Sequence, residues 1–200
     1  MIIGITGNLG SGKSTIVKLF KEHGFKIISA DKIGHKEINK IFDELKRKFG
    51  KKIFFKGRID RKRLGKLVFS DKRKLKMLQK ITWPLIIRKI KEEIKKNDGR
   101  DIVIESALII ESGLKNLVDR LVLVKIDKDV QLKRLLKKNR YTEEEIRNIL
   151  KLQLRQEEKI KYVDYVVDNG GDIENTKSQI VKLIGELRDE GKIYIDVPLV

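Results

Sequence analysis

The sequence predicts an α/β fold, in which a five-stranded parallel sheet is flanked by helices. Three observations carry this prediction: short apolar runs alternate with longer helical patterns, a glycine-rich loop follows the first run, and a charged helical insertion separates the second run from the third. The chain of 200 residues is 40% hydrophobic. A chain of this length buries enough surface to fold without a disulfide or a structural metal.

Five short apolar segments are the predicted strands of the sheet. The first ends in glycines, and the last stops at Asn169-Gly170-Gly171, which is a strong turn signal. The five segments span residues 2–6, 26–29, 101–105, 120–126 and 164–168. They are rich in Ile and Val, which is typical of strands that are buried on both faces of a parallel sheet.

Helical spacing of apolar residues accounts for most of the remaining chain. In the insertion, Pro84 suits the first turn of a helix that reaches about Lys96, because the missing N–H of a proline would be unpaired there anyway. Thr142 and Glu145 predict a capping box. The other predicted helices span about 12–23, 128–138, 142–161 and 173–189, while 192–200 is too short to assign.

Positive charge is concentrated in the insertion. The formal net charge is +18, and residues 32–96 hold 24 Lys and Arg against 7 Asp and Glu. This segment is either a surface that attracts phosphate-rich ligands, such as a polyphosphate small molecule or a nucleic acid, or a Lys-rich solvated surface of the kind common in heat-adapted proteins. Charge alone does not decide between them.

Several classes of protein are excluded by composition. The chain has no cysteine, which excludes disulfide scaffolds, zinc-thiolate sites and thiol nucleophiles. No stretch approaches the roughly 18 uncharged apolar residues of a membrane span. The first residues lack the basic region and cleavage site of a signal peptide. We therefore expect a cytoplasmic protein that does not engage a membrane.

A complete phosphate-binding loop is the sharpest motif in the chain. It matches GxxxxGK(S/T) between a predicted strand and a predicted helix, as its mechanism requires. Its residues are Gly7, Asn8, Leu9, Gly10, Ser11, Gly12, Lys13 and Ser14, followed by Thr15. The loop amides and the helix N-terminus favour phosphate, Lys13 neutralises phosphate oxygens, and the Ser14 hydroxyl is placed to bind Mg²⁺. The motif predicts a site for a nucleoside triphosphate.

Other motifs narrow the class of phosphate-loop protein. The guanine-reading Asn-Lys-x-Asp motif of GTPases is missing, because Asn39-Lys40 is followed by Ile41 and Phe42. No LSGGQ-like signature of transport ATPases is present. A small kinase fits better, since it needs the loop, an acceptor pocket on an inserted helical segment, and a mobile basic lid.

With these pieces in place, the chain resembles the dephospho-coenzyme A kinase family over roughly residues 1–185. Six stretches match in register: ITGNLGSGKST at 5–15, ISADKIGH at 28–35, GRIDRKRLGKLVFSD at 57–71, ESALIIESGLKNLVDRLVLV at 105–124, QLKRLLKKNRYTEEE at 131–145 and QLRQEEKIKYVDYVVDNGG at 153–171. The first stretch is general to phosphate-loop proteins, whereas the run of six is specific. The resemblance implies a phosphate-loop kinase fold that transfers phosphate from ATP to the ribose 3′-hydroxyl of dephospho-CoA.

The resemblance also implies site residues. Asp31 would accept the proton of the acceptor hydroxyl or orient Mg²⁺, its structural alternative being a helix N-cap. Arg140 would stabilise charge on the transferred phosphoryl group, its alternative being a solvated arginine. Glu105 would support Mg²⁺ from a distance. Asn169 and Gly170 would lie where the family places adenine, unless they form a plain turn.

Weaker candidates and departures from the family pattern complete this comparison. Arg134 and Lys159 are further candidate site residues, and Gln153 matches a segment near the lid with a structural role. The family's Asp-Ala-Asp is Ser29-Ala30-Asp31 here, and its His-Pro is Trp83-Pro84. The Asp and Pro of the family's next strand motif are Glu105 and Ala107. Most departures lie on the acceptor side.

The sequence thus predicts three parts and one principal function. The nucleotide-binding core is expected at 1–31, 99–127 and 161–200, the acceptor domain at 32–98, and the lid at 128–160. ATP with Mg²⁺ and dephospho-CoA are the expected ligands of a monomer or weak homo-oligomer, with no nucleic acid. Two alternatives stay open: a kinase for a nucleoside or nucleotide acceptor, and a nucleic-acid-binding protein that uses the loop as a switch.

Overall fold

A computed structural model describes residues 1–189 of the chain. The end of the predicted core segment 161–200, including the unassigned tail 192–200, lies outside these residues. The main sheet has five parallel strands in the order β2-β5-β1-β6-β7. Its strands are β1 (Ile2–Thr6), β2 (Lys26–Ser29), β5 (Ile102–Glu105), β6 (Arg120–Lys125) and β7 (Tyr165–Asp168). All five predicted strands are confirmed, each to within one residue at either end.

Nine α-helices are described, and most of them cover the faces of the sheet or form the insertion. Their bounds are α1 (Lys13–Glu22), α2 (Ala30–Glu37), α3 (Phe42–Phe49), α4 (Arg61–Phe69), α5 (Lys72–Lys96), α6 (Lys128–Lys137), α7 (Glu143–Leu150), α8 (Gln156–Lys159) and α9 (Ile173–Asp189). Short 3₁₀ turns follow α2, α3 and α8 and precede β6. The predicted first and last helices are therefore confirmed.

The sheet is buried on both faces, as its Ile- and Val-rich strands require. On one face, α1 and α9 pack through Phe20 and Ile180 against Ile3, Ile5 and their neighbours. A second apolar cluster forms around Ile28, Ile104 and Ile90 of α5. Because β1 lies in the centre of the sheet, the loop that follows it emerges at the middle of the carboxyl edge, where parallel α/β sheets bind ligands.

The insertion has its own small apolar core. Leu45, Phe49 and Val68 are buried there together with Ile53 and Leu64. A two-residue hairpin, β3 (Phe54–Phe55) with β4 (Arg58–Ile59), adds antiparallel strand structure that helical spacing did not predict.

One helix joins the core of the insertion to the sheet. The sequence places Pro84 at the start of a helix, but α5 runs unbroken through it from Lys72 to Lys96. The prediction of a helix start was wrong because apolar residues on both sides of the proline are packed: Leu75, Leu78 and Ile81 face the core of the insertion, and Ile86 and Ile90 face the sheet.

The lid departs from the prediction at its second helix. Instead of one helix over 142–161, α7 ends at Leu150 and the short α8 begins at Gln156. Between them, residues 151–155 form a loop whose side chains and backbone contact the phosphate-binding loop (see below). These contacts outside the helix explain why helical spacing overestimated its length. The predicted capping box of Thr142 and Glu145 is confirmed.

Candidate active site

The phosphate-binding loop wraps the N-terminus of α1. Gly7 and Gly12 have φ values of +149° and +89°, which residues with a side chain rarely adopt and which let the backbone turn tightly from β1 into α1. The amide of Ser11 donates to the carbonyl of Asn8 at 3.1 Å. The loop leads directly into the N-terminus of α1, and a helix N-terminus favours an anion.

Lys13 lies at the bottom of this cradle and is buried. Its ammonium donates to the carbonyls of Gly7 at 2.8 Å and Asn8 at 3.3 Å. Burial lowers the pKa of Lys13, the charges of Asp31 and Glu105 oppose that shift, and Lys159 adds to it. A phosphate group would supply the negative charge that favours the protonated lysine.

The cradle is packed from the side by residues far away in the chain. A Cβ atom on Gly12 would overlap the Nδ2 of Asn169, and one on Gly10 would lie 2.7 Å from Leu135 of α6. Gln131, also in α6, donates to the carbonyl of Leu9 at 2.6 Å. The loop therefore has little freedom to change shape on these two sides.

Asn169, directly after the last strand, is hydrogen-bonded to the cradle. Its Nδ2 donates to the carbonyl of Ser11 at 2.7 Å, and its Oδ1 accepts from Thr176 at 3.2 Å. Arg134 donates to the carbonyl of Asn169 at 2.8 Å, while the amide of Gly170 donates to Asp168 at 2.7 Å. Because the Asn169 side chain is buried and bonded across the molecule, the segment is more than a plain turn.

Two carboxylates lie at the carboxyl ends of β2 and β5. Glu105 accepts a hydrogen bond from Ser29 at 2.9 Å, and Ser29 also caps α2. Asp31 is in the first turn of α2, so the alternative role of Asp31 as the N-cap is wrong. The Asp31 side chain is exposed to solvent, but the surrounding protein partly desolvates it and so raises its pKa.

Charges from several elements surround Asp31. Glu105 raises its pKa further, whereas Lys13 and His35 lower it. The pKa of His35 is itself lowered, first by partial desolvation and next by the guanidinium of Arg61, with a smaller contribution from Arg140. The guanidinium groups of Arg61 and Arg140 thus both lie near His35, which in turn lies near Asp31.

Arg140 lies in the connection between α6 and α7, within the predicted lid. It follows Asn139, whose left-handed backbone (φ 49°) ends α6 and reverses the chain before α7. Arg140 is exposed, and no intramolecular ion pair holds it among the described residues. This position leaves the guanidinium available to a ligand in the cleft.

Sequence patterns missed Gln131, whereas Asn8 belongs to the predicted loop and Gln153 was expected to have a structural role. Asn8 donates to the carbonyl of Leu154 at 3.0 Å, Gln153 accepts from the amide of Leu9 at 3.0 Å, and Gln131 holds the loop as described above. Gln131 is buried in a helix of otherwise charged character. A glutamine in such a helix normally predicts a solvated position, so only its tertiary contact reveals its role.

The comparisons with known proteins agree with this geometry. A protein-family model for dephospho-CoA kinase matches residues 1–175. A dephospho-CoA kinase from Carboxydothermus hydrogenoformans is 39% identical over 194 residues, which cover 92% of each chain. The chain belongs to the dephospho-CoA kinase family.

Solved structures extend the comparison to the fold. A dephospho-CoA kinase from Campylobacter jejuni covers 95% of this chain, with 98% of its own length matched, at 31% identity and a TM-score of 0.70. A Thermus thermophilus protein reaches a TM-score of 0.81 at 31% identity, with 94% and 97% of the two chains covered. The predicted phosphate-loop kinase fold is thereby confirmed.

Membership of the dephospho-CoA kinase family makes the chain a kinase, and nothing in these matches favours the nucleoside or nucleic-acid alternatives. Within residues 1–189, no helix combines the length and apolar character that crossing a bilayer requires. ATP is the phosphate donor that such a kinase uses, and the cradle of Gly7 to Thr15 has the shape and charge to hold its phosphates.

The donor set suits a magnesium ion that is held mainly by substrate. In the described part of the chain, no three His, Cys, Asp or Glu residues converge. Kinases generally bind Mg²⁺ through one or two protein groups together with phosphate oxygens and water. Ser14, at the start of α1, and Glu105, whose Oε2 is held by Ser29, are the hydroxyl and carboxylate that fit this pattern.

Proposed function

We propose that this protein phosphorylates the ribose 3′-hydroxyl of dephospho-CoA with ATP and releases CoA and ADP. The observation that carries the proposal is the placement of a buried Lys13 in a phosphate cradle next to the accessible carboxylate of Asp31. The ammonium of Lys13 can bind phosphate oxygens, and the carboxylate of Asp31 can accept the proton of a hydroxyl group. The dephospho-CoA kinase family supplies the identity of the acceptor.

The ATP phosphates lie in the cradle formed by Gly7 to Thr15. Lys13 leaves its contacts with the Gly7 and Asn8 carbonyls and binds phosphate oxygens, because an anion is a stronger partner for an ammonium than a neutral carbonyl. The adenine lies near Asn169 and Gly170, which follow β7 next to the cradle. Ser14 and Glu105 would hold Mg²⁺, which neutralises charge between the phosphates when it is bound.

Transfer is a single displacement at the γ-phosphorus. The acceptor 3′-oxygen forms a bond to that phosphorus while the bond to the β–γ bridging oxygen breaks, and ADP leaves with that oxygen. Asp31 accepts the proton of the 3′-hydroxyl. The pKa of Asp31 is raised by partial desolvation and by Glu105, which makes the carboxylate a better base than an ordinary aspartate.

Arg140 stabilises the charge that develops on the transferred group. Its exposed position between α6 and α7 allows it to approach the γ-phosphate when the lid closes. Closure also excludes water, which would otherwise compete with the acceptor for the phosphoryl group.

The basic insertion provides the acceptor side. Dephospho-CoA carries a pyrophosphate, and residues 32–96 hold a large excess of Lys and Arg. We assign residues 32–98 to acceptor binding, 128–160 to the lid, and 1–31, 99–127 and the chain from 161 onwards to the nucleotide-binding core.

An acceptor panel tests the function. Purified protein with ATP and Mg²⁺ is given dephospho-CoA, adenosine, the common nucleoside monophosphates, or no acceptor, and ADP release is measured together with the product. We expect ADP release that depends on dephospho-CoA, with CoA formed in equal amount. Activity with a nucleoside or nucleotide alone would contradict the proposal.

Two further assignments concern the setting of the enzyme. The absence of cysteine is compatible with a reducing compartment, and we assign the protein to the cytoplasm. We expect a monomer or a weak homo-oligomer, which light scattering across a range of protein concentrations would test.

A further inference from the structure

The loop between α7 and α8, residues 151–155, is bonded to the phosphate cradle at two points. The amide of Leu9 donates to Oε1 of Gln153 at 3.0 Å, and Nδ2 of Asn8 donates to the carbonyl of Leu154 at 3.0 Å. These bonds join the end of the lid to the first half of the cradle. We name residues 151–155 the hinge loop, since they join α7 to α8.

The hinge loop is also bonded to the segment that follows β5. The amide of Leu154 donates to Oε1 of Glu111 at 3.0 Å. The same oxygen lies 3.3 Å from the ammonium of Lys159, which is fully buried. Lys159 also donates to the carbonyl of Ala107 at 2.6 Å, a carbonyl that the Thr6 hydroxyl approaches at 3.5 Å. Lys159 therefore joins the hinge region to the ends of β1 and β5.

Burying a lysine so completely is costly unless a partner compensates it. Burial lowers the pKa of Lys159, and Glu111 opposes that shift by charge and by hydrogen bonding. Lys159 is also close enough to the cradle to lower the pKa of Lys13. A buried charge pair is weak support for stability on its own, because apolar residues of similar size would often do as well. The location of the Lys159–Glu111 pair beside the cradle indicates a role in the site and not only in stability.

We infer that Lys159 and Glu111 are positioning residues, which hold the hinge loop against Leu9 and Asn8 and so set the geometry of the ATP cradle. The inference rests on the proposed function, since it assumes that the cradle binds ATP. Within residues 1–189, the partners of this pair lie outside the acceptor segment 32–98. Its effect should therefore appear in ATP binding and in turnover, and not in acceptor binding.

Three substitutions test the inference at different points of this chain of contacts. Lys159→Met and Glu111→Gln each remove one charge of the pair, and Gln153→Leu removes only the side-chain bond to Leu9. Lys159→Arg keeps the charge. Lys161→Met is the matched control, because Lys161 is exposed and lies two residues beyond Lys159.

The measurements are KM for ATP, KM for dephospho-CoA, kcat, the Kd of a fluorescent ATP analogue, and the melting temperature. Lys159→Met, Glu111→Gln and Gln153→Leu should weaken ATP binding or lower kcat by about 10- to 100-fold, since small misplacements of positioning groups have effects of this size. KM for dephospho-CoA should change less than twofold. Lys159→Arg should recover part of the loss, and Lys161→Met should match the wild type.

A merely structural role gives a different result. Melting temperature would then fall, while KM for ATP, the analogue Kd and kcat stayed at wild-type values at a temperature where all variants are folded; that result overturns the inference. The double variant Lys159→Met/Gln153→Leu should lose less than the product of the single losses, because both act through one hinge loop. Independent, multiplicative losses would also overturn it.

The same variants and measurements distinguish failure of this inference from failure of the proposed function. If Lys159→Met does not fold, Glu111→Gln and Gln153→Leu still test the contacts. If the wild type fails to phosphorylate dephospho-CoA, the proposed function fails, while the Kd of the ATP analogue still reports whether the hinge loop controls the cradle. An unchanged analogue Kd together with an unchanged kcat overturns the inference alone.

Discussion

The two halves of the cleft are built in opposite ways. On the ATP side, the buried side chains of Gln131 and Asn169 bind backbone carbonyls of the loop, and the buried side chain of Asn8 binds the carbonyl of Leu154 outside it. These bonds hold the loop in one shape. On the acceptor side, the charged and titratable side chains are exposed and come from three segments of the chain that lie near one another. They are Asp31, His35, Arg61 and Arg140. One half is prearranged, and the other half depends on how the insertion and the lid come together.

This difference has a physical reason. Phosphate groups are recognised by backbone amides, which must be aligned before the ligand arrives, so the loop is fixed by many internal bonds. The acceptor must enter and leave, so its side is left open and charged. Changes on the ATP side should therefore affect stability and ATP binding together, whereas changes on the acceptor side should affect turnover with little effect on stability.

Lys13→Ala should have the largest effect. It removes the one buried cation of the cradle, and transfer should fall by about 1,000-fold, as expected when a group that stabilises transition-state charge is lost. Steady-state kinetics with ATP and dephospho-CoA measure this loss, and circular dichroism checks the fold. Lys18→Ala, on the exposed face of the same helix, is the control. Wild-type turnover in Lys13→Ala would refute the site.

Asp31→Asn should have the second-largest effect, and it should alter the acceptor half of the site while leaving the ATP half intact. The variant keeps the shape but removes the base, so kcat should fall by about 100- to 1,000-fold with ATP affinity nearly unchanged. Because burial and Glu105 disfavour the charged carboxylate, the melting temperature at pH 7 should stay constant or rise. Asp43→Asn, an exposed residue in the first turn of α3, serves as the control. A stability loss with normal kcat would make Asp31 a structural residue.

The pH dependence of kcat in the wild type also tests whether Asp31 acts as the base. Asp31 works as a base only when it is deprotonated, so kcat should decrease as the pH falls through its pKa. That pKa lies above 3.8, the ordinary value. The acid limb should therefore lie at a higher pH than an unperturbed aspartate would give, and it should be absent from the residual activity of Asp31→Asn.

Arg140→Ala should lower kcat by about 100-fold, since one donor to the transferred group is lost. Arg147→Ala is a matched control, because Arg147 is also an exposed lid arginine but is paired with Glu143 in α7. The melting temperature should not change in either variant. Equal effects of the two substitutions on kcat would show that the lid acts through its net charge and not through Arg140.

Asn169→Ala should have the smallest effect on turnover and a clear effect on stability. The substitution removes the hydrogen bond to the carbonyl of Ser11 and leaves the buried hydroxyl of Thr176 without one of its acceptors. Such a loss costs about 1–3 kcal/mol, which lowers the melting temperature by several degrees. KM for ATP should rise by about 10-fold. Asn116→Ala, at an exposed position, is the control, and equal melting temperatures for the two variants would contradict this account.

The same contrast explains which features the sequence could predict. The strands and the capping box at Thr142 depend on local patterns, and their prediction was confirmed. The glycine-rich loop lies between β1 and α1 as its motif requires, and its binding of phosphate stays a prediction. The path of α5 through Pro84 and the break in the lid at residues 151–155 depend on packing against distant elements, which periodicity does not contain.

The site divides along the same line. Gly7 to Thr15 form a contiguous motif, so their role can be predicted from spacing alone. Gln131, Glu111 and Gln153 each act on the backbone of a residue more than 40 positions away. In the sequence these residues look like ordinary polar residues of helices and loops, and only the folded chain shows that they are bonded to the cradle or to the hinge loop.

The most direct test of the two-sided cleft is a crystal structure with a non-hydrolysable ATP analogue and dephospho-CoA bound together. We predict the γ-phosphate in the cradle of Gly7 to Thr15, with Lys13 on its oxygens, and the ribose 3′-oxygen within hydrogen-bond distance of the Asp31 carboxylate. The pyrophosphate of dephospho-CoA should contact basic residues of the insertion. A 3′-oxygen that lies away from Asp31, with the acceptor outside the insertion, would contradict the account.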